Sequence, residues 1–133
     1  IVVPWLRTDA QLLALKEHST RELVEFVRAN LPASERLLSD YQVITFYARY
    51  PSTYSGAEIS GVFTSGGALL GIDLIEEIEA SNVGMVLLDI EGHHMIYLRD
   101  YDIFSAYLGA NFEMVGQYER ANQLINAYVR KDR

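Results

Sequence analysis

Residues 83–99 read VGMVLLDIEGHHMIYLR. Val83 to Ile90 is an apolar run rich in strand-forming side chains, and His93 to Arg99 is a second. Glu91 and Gly92 between them have the composition of a tight turn. The pattern predicts a β-hairpin over 83–99 and places an antiparallel sheet around it.

Upstream, Asn82 turns the chain out of a helix expected over Ala68 to Ala80. In that helix Leu70, Leu74, Ile75 and Ile78 share one side, while Asp73, Glu76, Glu77 and Glu79 share the other. Before it, Ile59 to Thr64 reads as a short strand ending at Ser65, Gly66 and Gly67, and Ser52 to Gly56 reads as loop. Tyr41 to Tyr50 is rich in β-branched and aromatic residues and stops at Pro51, which predicts a strand; a helix continuing from Ser34 is the competing reading. Thr8 with Gln11 and Ser19 with Glu22 form two capping boxes. They predict helices over Asp9 to His18 and Thr20 to Ala29, with a further helical turn from Ser34 through Leu37 and Leu38.

Downstream, Asp100 or Asp102 caps a short helical turn that stops at Gly109, and Asn111 to Val115 adds a short strand. Tyr118, Ala121, Leu124, Ile125, Tyr128 and Val129 recur at helical spacing, with Arg130, Lys131 and Arg133 at the end that favours cations. A C-terminal helix is expected there. The pieces assemble into one α+β domain over 1–133, with N-terminal helices and a C-terminal helix packed on a small antiparallel sheet.

At 133 residues with half of them apolar, the chain has the size and composition of one globular core. It has no cysteine, which excludes a disulfide framework, a thiolate metal site and a cysteine nucleophile, and suits a reducing, cytoplasmic setting. No stretch approaches the roughly 20 apolar residues of a spanning helix, so no membrane association is expected. An opening at Ile1 without methionine leaves a removed upstream segment open.

The net charge is −7, and it is local. Between Asp73 and Glu113 stand nine acids and one cation, Arg99, while the rest of the chain is close to neutral. An acidic domain repels phosphate backbones, so nucleic acid is not an expected partner.

The chemical motifs each meet a plainer explanation. His93 and His94, adjacent in a strand, point to opposite faces and do not serve one site together. Asp89 with Glu91, and Asp100 with Asp102, have the spacing of paired carboxylates or hard-cation ligands. Acids two apart are also common on solvated strands, and the calcium-loop pattern is absent. Gly61 to Gly67 runs from strand to helix like an anion loop, but Gly67 and Ala68 follow Gly66 where a phosphate loop needs lysine and serine or threonine. The dinucleotide fingerprint is missing too, and Phe63 stands where a serine nucleophile elbow at Ser65 would need glycine.

Aromatics carry the stronger signal. Tyr41, Phe46, Tyr47, Tyr50 and Tyr54 form one group, and Tyr97, Tyr101, Phe104 and Tyr107 form another inside the acidic segment. Tyrosine beside carboxylates suits capture of a basic protein. The expectation is a non-catalytic binding domain, such as an inhibitor or immunity protein that covers a nuclease-type toxin, working through Asp89, Glu91, Tyr97, Asp100, Tyr101 and Asp102. No cofactor and no metal are expected on this reading. Its rivals are a small metal-dependent hydrolase or phosphoryl-transfer enzyme using the 89–102 carboxylates with a histidine, and a module that dimerises through a sheet edge or the C-terminal helix.

Overall fold

The computed structural model describes residues 20–40, 42–50, 53, 59, 64–89, 95–120 and 123–131. The expected helix over 9–18 and the loop over 52–56 lie almost wholly outside them. So do most of the expected strand over 59–64 and the turn at 91–92 with His93 and His94. The fold is α+β: helices flank a four-stranded mixed sheet on both faces.

Helix α1, over 20–30, buries Leu23, Val24 and Val27. It closes where Asn30 donates its side-chain amide to the Phe26 carbonyl at 2.8 Å, two residues before Pro32. Strand β1 is Arg36–Ser39, where a helical turn through Leu37 and Leu38 is expected from sequence. The strand wins because the two leucines belong to different cores: Leu37 packs on one face of the sheet and Leu38 on the other. Only extended backbone sends neighbouring side chains to opposite faces.

The expected strand over 41–50 is instead helix α2, Gln42–Ala48. Ile44, Thr45 and Ala48 are buried at helical spacing, while Val43, Phe46 and Tyr47 are exposed. The strand-forming residues that suggested β structure lie on the solvent side, and packing of the other stripe overrides their propensity. The helix ends in a Schellman arrangement, with Arg49 at φ 62, Tyr50 N–H donating to Thr45 and Arg49 N–H to Phe46. The Tyr50 hydroxyl donates to the Leu31 carbonyl, fastening α2 to the end of α1.

Helix α3, Gly71–Ala80, leads through Asn82, at φ 53, into strand β2, Val83–Asp89, all of whose residues are buried. A single 3₁₀ turn, Met95–Tyr97, precedes helix α4, Tyr101–Asn111. The helix passes through Gly109 instead of stopping there. Strand β3, Phe112–Arg120, follows without a loop, and strand β4, Gln123–Arg130, completes the sheet. The strand order is β1-β2-β4-β3, with β1 parallel to β2 and the other pairs antiparallel.

Three expectations are therefore corrected. The sheet is mixed, because the segment from 40 to 82 is long enough to return parallel. The 83–99 hairpin does not form: β1 and β4 occupy both edges of β2, and residues 95–97 turn instead of extending. The C-terminal helix is a β-hairpin of β3 and β4. Because β4 is covered on both faces, Ile125, Asn126 and Ala127 are all buried, so the alternation that marks a half-buried strand is lost.

The sheet divides the interior. On one face Leu38, Val86 and Leu88 meet Leu74 and Ile78 of α3 and Phe104 and Leu108 of α4. On the other, Leu37, Met85, Leu87, Ile125 and Ala127 meet Leu23 and Val27 of α1 and Ile44 of α2.

Candidate functional site

Charge follows this division. Helix α3 carries Asp73, Glu76, Glu77 and Glu79, α4 carries Asp102, and neither helix holds a lysine or arginine. On the opposite face α1 balances Arg21 and Arg28 against Glu22 and Glu25, and α2 is uncharged. Glu76, Glu79 and Asp102 are exposed, while Asp73 and Glu77 are partly covered.

Two cations approach the acidic layer at the C-terminal ends of its helices. Arg130 donates through Nε to the Val83 carbonyl at 3.0 Å, reaches Glu79 at 3.5 Å and lies 5.0 Å over the Phe112 ring. Glu79 also accepts the Tyr107 hydroxyl proton in a hydrogen bond; burial and this partner push Tyr107 up to about 12. Lys131 donates to the Gly109 carbonyl at 2.7 Å near the end of α4. Both cations sit where the helix dipole favours positive charge. Arg99, the one cation of the acidic segment, donates to the Gly66 carbonyl at 3.3 Å.

At the opposite ends the carboxylates serve the backbone. Asp73 accepts the Leu70 N–H at 2.8 Å. Asp100 stands at the N-cap position of α4 but makes no side-chain bond to that helix. Its carboxylate accepts the Gly71 N–H at 2.6 Å and the Ile72 N–H at 3.0 Å. It therefore satisfies the first amides of α3, twenty-eight and twenty-nine residues away in sequence. A Cβ on Gly71 would lie 2.8 Å from Phe104 Cβ and 3.1 Å from the Asp100 carbonyl oxygen, so glycine permits the two helices to close up there. Exposed Ile72 and Ile103 flank this junction, with the half-exposed Tyr97 just before it.

The residues singled out from sequence fall into different roles. Asp102 and Tyr97 are exposed on the acidic side. Asp100 is engaged with α3, and Tyr101 packs against the core beneath α4. Asp89 is buried at the end of β2, and Glu91 lies outside the described residues.

Asp40 is the residue that sequence reasoning missed. It follows β1 as Asp89 ends β2, and the repeated Leu37-Leu38-Ser39-Asp40 and Leu87-Leu88-Asp89 pattern was the available signal. The Asp40 carboxylate accepts the Asp89 N–H, continuing the contact between parallel strands beyond the ladder. Its Oδ1 is buried without a hydrogen-bond partner among the described residues. Burial, reinforced by the Asp89 charge, pushes it up to about 7.

Among the described residues no three ligand-type side chains gather as a metal site, and no helix is long and apolar enough to cross a membrane. Comparison with family models, characterised proteins and solved structures gives no match.

Proposed function

We propose that the α3/α4 layer is a docking face for a basic protein partner and that the domain acts by binding. The observation that carries this reading is the concentration of unbalanced negative charge on one helical layer, beside exposed Ile72, Ile103 and Tyr97. Apolar side chains supply contact area, while exposed Glu76 and Asp102 steer a cationic surface and pair at its rim. A nuclease-type toxin domain is one partner with the required charge. The cysteine-free composition favours a cytoplasmic setting for the encounter.

Affinity capture from the source cell, at low salt and at a salt where screening shortens to about 8 Å or less, tests the reading. Basic proteins should be retained at low salt and released at high salt. Retention of no basic protein in either condition contradicts it.

A further inference from the structure

The side of α2 that turns away from the core is apolar and open. Val43, Phe46 and Tyr47 share it at helical spacing, and Phe46 is 78% exposed. The Phe46 and Tyr47 rings meet edge-on with centroids 5.5 Å apart, so they form one aromatic surface. Packing inside the domain does not require it, because α2 is held by its other stripe, Ile44, Thr45 and Ala48.

Positive charge gathers at the same end. Arg28, in the last turn of α1, donates to the Tyr47 carbonyl at 2.7 Å, and Arg49 follows α2 directly, with its N–H on the Phe46 carbonyl. Both arginines are exposed, and among the described residues neither guanidinium meets a carboxylate. Helix α2 carries no charge of its own. Although α1 is balanced along its length, the surface where it reaches α2 is therefore aromatic and cationic.

This surface is the chemical complement of the α3/α4 face, where Glu76 and Asp102 are exposed beside Ile72, Ile103 and Tyr97. Arginine pairs with carboxylates through its planar fork, and arginine, tyrosine and phenylalanine are the side chains enriched in interfaces. The chain as a whole is acidic, at −7. At physiological salt, however, exposed charges more than about 8 Å apart are largely screened, so the surfaces that touch decide the contact. The two surfaces lie on opposite faces of one sheet and cannot meet within one molecule.

We infer that the α2 surface of one copy docks onto the α3/α4 face of another, head to tail. A contact between two different patches leaves one of each free, and its repetition builds a row or ring of copies instead of a two-fold pair. The inference rests on the docking-face reading of α3 and α4, and it names a second copy as an occupant of that face. A basic partner and a second copy then compete for the same carboxylates.

Sedimentation of the purified chain at physiological salt, over a range of concentrations, tests this arrangement. The average mass should rise with concentration past that of two copies. Phe46→Ser with Arg49→Gln removes the α2 surface, and Glu76→Gln with Asp102→Asn neutralises the opposite one; each variant alone should sediment as a single chain. Mixed in equal amounts, the two variants should form a pair and nothing larger, since each supplies the surface that the other lacks. Should a double variant fail to fold, Phe46→Ser alone and Glu76→Gln alone take their places, and each should lower the average mass. A single chain at every concentration, a plateau at two copies that only the α2 variant dissolves, or no pair in the mixture would each overturn the inference. None of these results touches the capture of basic proteins at low salt, whose absence contradicts the docking face itself.

Discussion

The two helical layers bury comparable sets of aliphatic side chains against one sheet, yet they are built differently. The α1/α2 layer is close to neutral and is tied together by side chains reaching carbonyls: Tyr50 to Leu31, and Arg28 to Tyr47 at 2.7 Å. The α3/α4 layer is acidic, closes tightly at Gly71, and depends on a carboxylate from one helix to cap the other. Burial alone does not account for the difference. The acidic layer keeps unbalanced charge that a purely structural layer does not need, which is why the functional reading rests there.

The largest expected effect lies at the strand ends between the layers. Asp40 is raised from 3.8 to about 7 in the folded protein, so the folded state holds its proton more tightly than the unfolded chain. Stability should be highest below the unfolded value and fall as pH rises from about 4 to 7. At about 1.4 kcal/mol per pH unit, the loss is on the order of 4 kcal/mol. Asp40→Asn should flatten this slope and be the more stable protein at pH 8, as read by urea unfolding across pH. A slope unchanged in Asp40→Asn would assign the pH dependence to other groups.

Gly71→Ala tests the close approach peculiar to the acidic layer. The added Cβ meets Phe104 and the Asp100 backbone, so a loss of about 1–3 kcal/mol is expected despite alanine's better helix propensity. A gain in melting temperature would show that α3 and α4 separate without cost.

Asp100→Ala should cost about 1–2 kcal/mol by uncapping α3. Asp102→Ala, two residues on and exposed, should change stability by less than about 0.5 kcal/mol. Equal losses would erase the distinction drawn between a carboxylate that holds the layer together and one that is free to meet a partner.

How much of this was legible in the sequence follows from which faces are covered. Helices α1 and α3 were readable because each has one buried stripe and one polar face. The helical nature of α2 was obscured because Val43, Phe46 and Tyr47 face solvent. The identities of β1 and β4 were obscured because covering both faces of a strand removes alternation, leaving Leu37-Leu38 and Ile125 to Ala127 without a period. Pairing partners failed for a related reason: an apolar run such as 95–98 looks like an eligible strand until β4, from the far end of the chain, is seen to occupy that edge of β2. The acidic segment was legible as charge from Asp73 to Glu113. Its division into exposed Glu76 and Asp102, the capping Asp100 and the buried Asp89 depends on contacts between residues far apart in sequence.

The most direct test of the asymmetry reverses equal charge on each layer. Glu76→Lys with Asp102→Lys alters the acidic layer, and Glu22→Lys with Glu25→Lys alters α1 by the same net charge. Binding of each variant to the basic proteins retained at low salt, measured by interferometry, should be lost only for the α3/α4 pair, mainly through slower association. Equal loss in both variants, or in neither, would contradict the assignment of the docking face to α3 and α4.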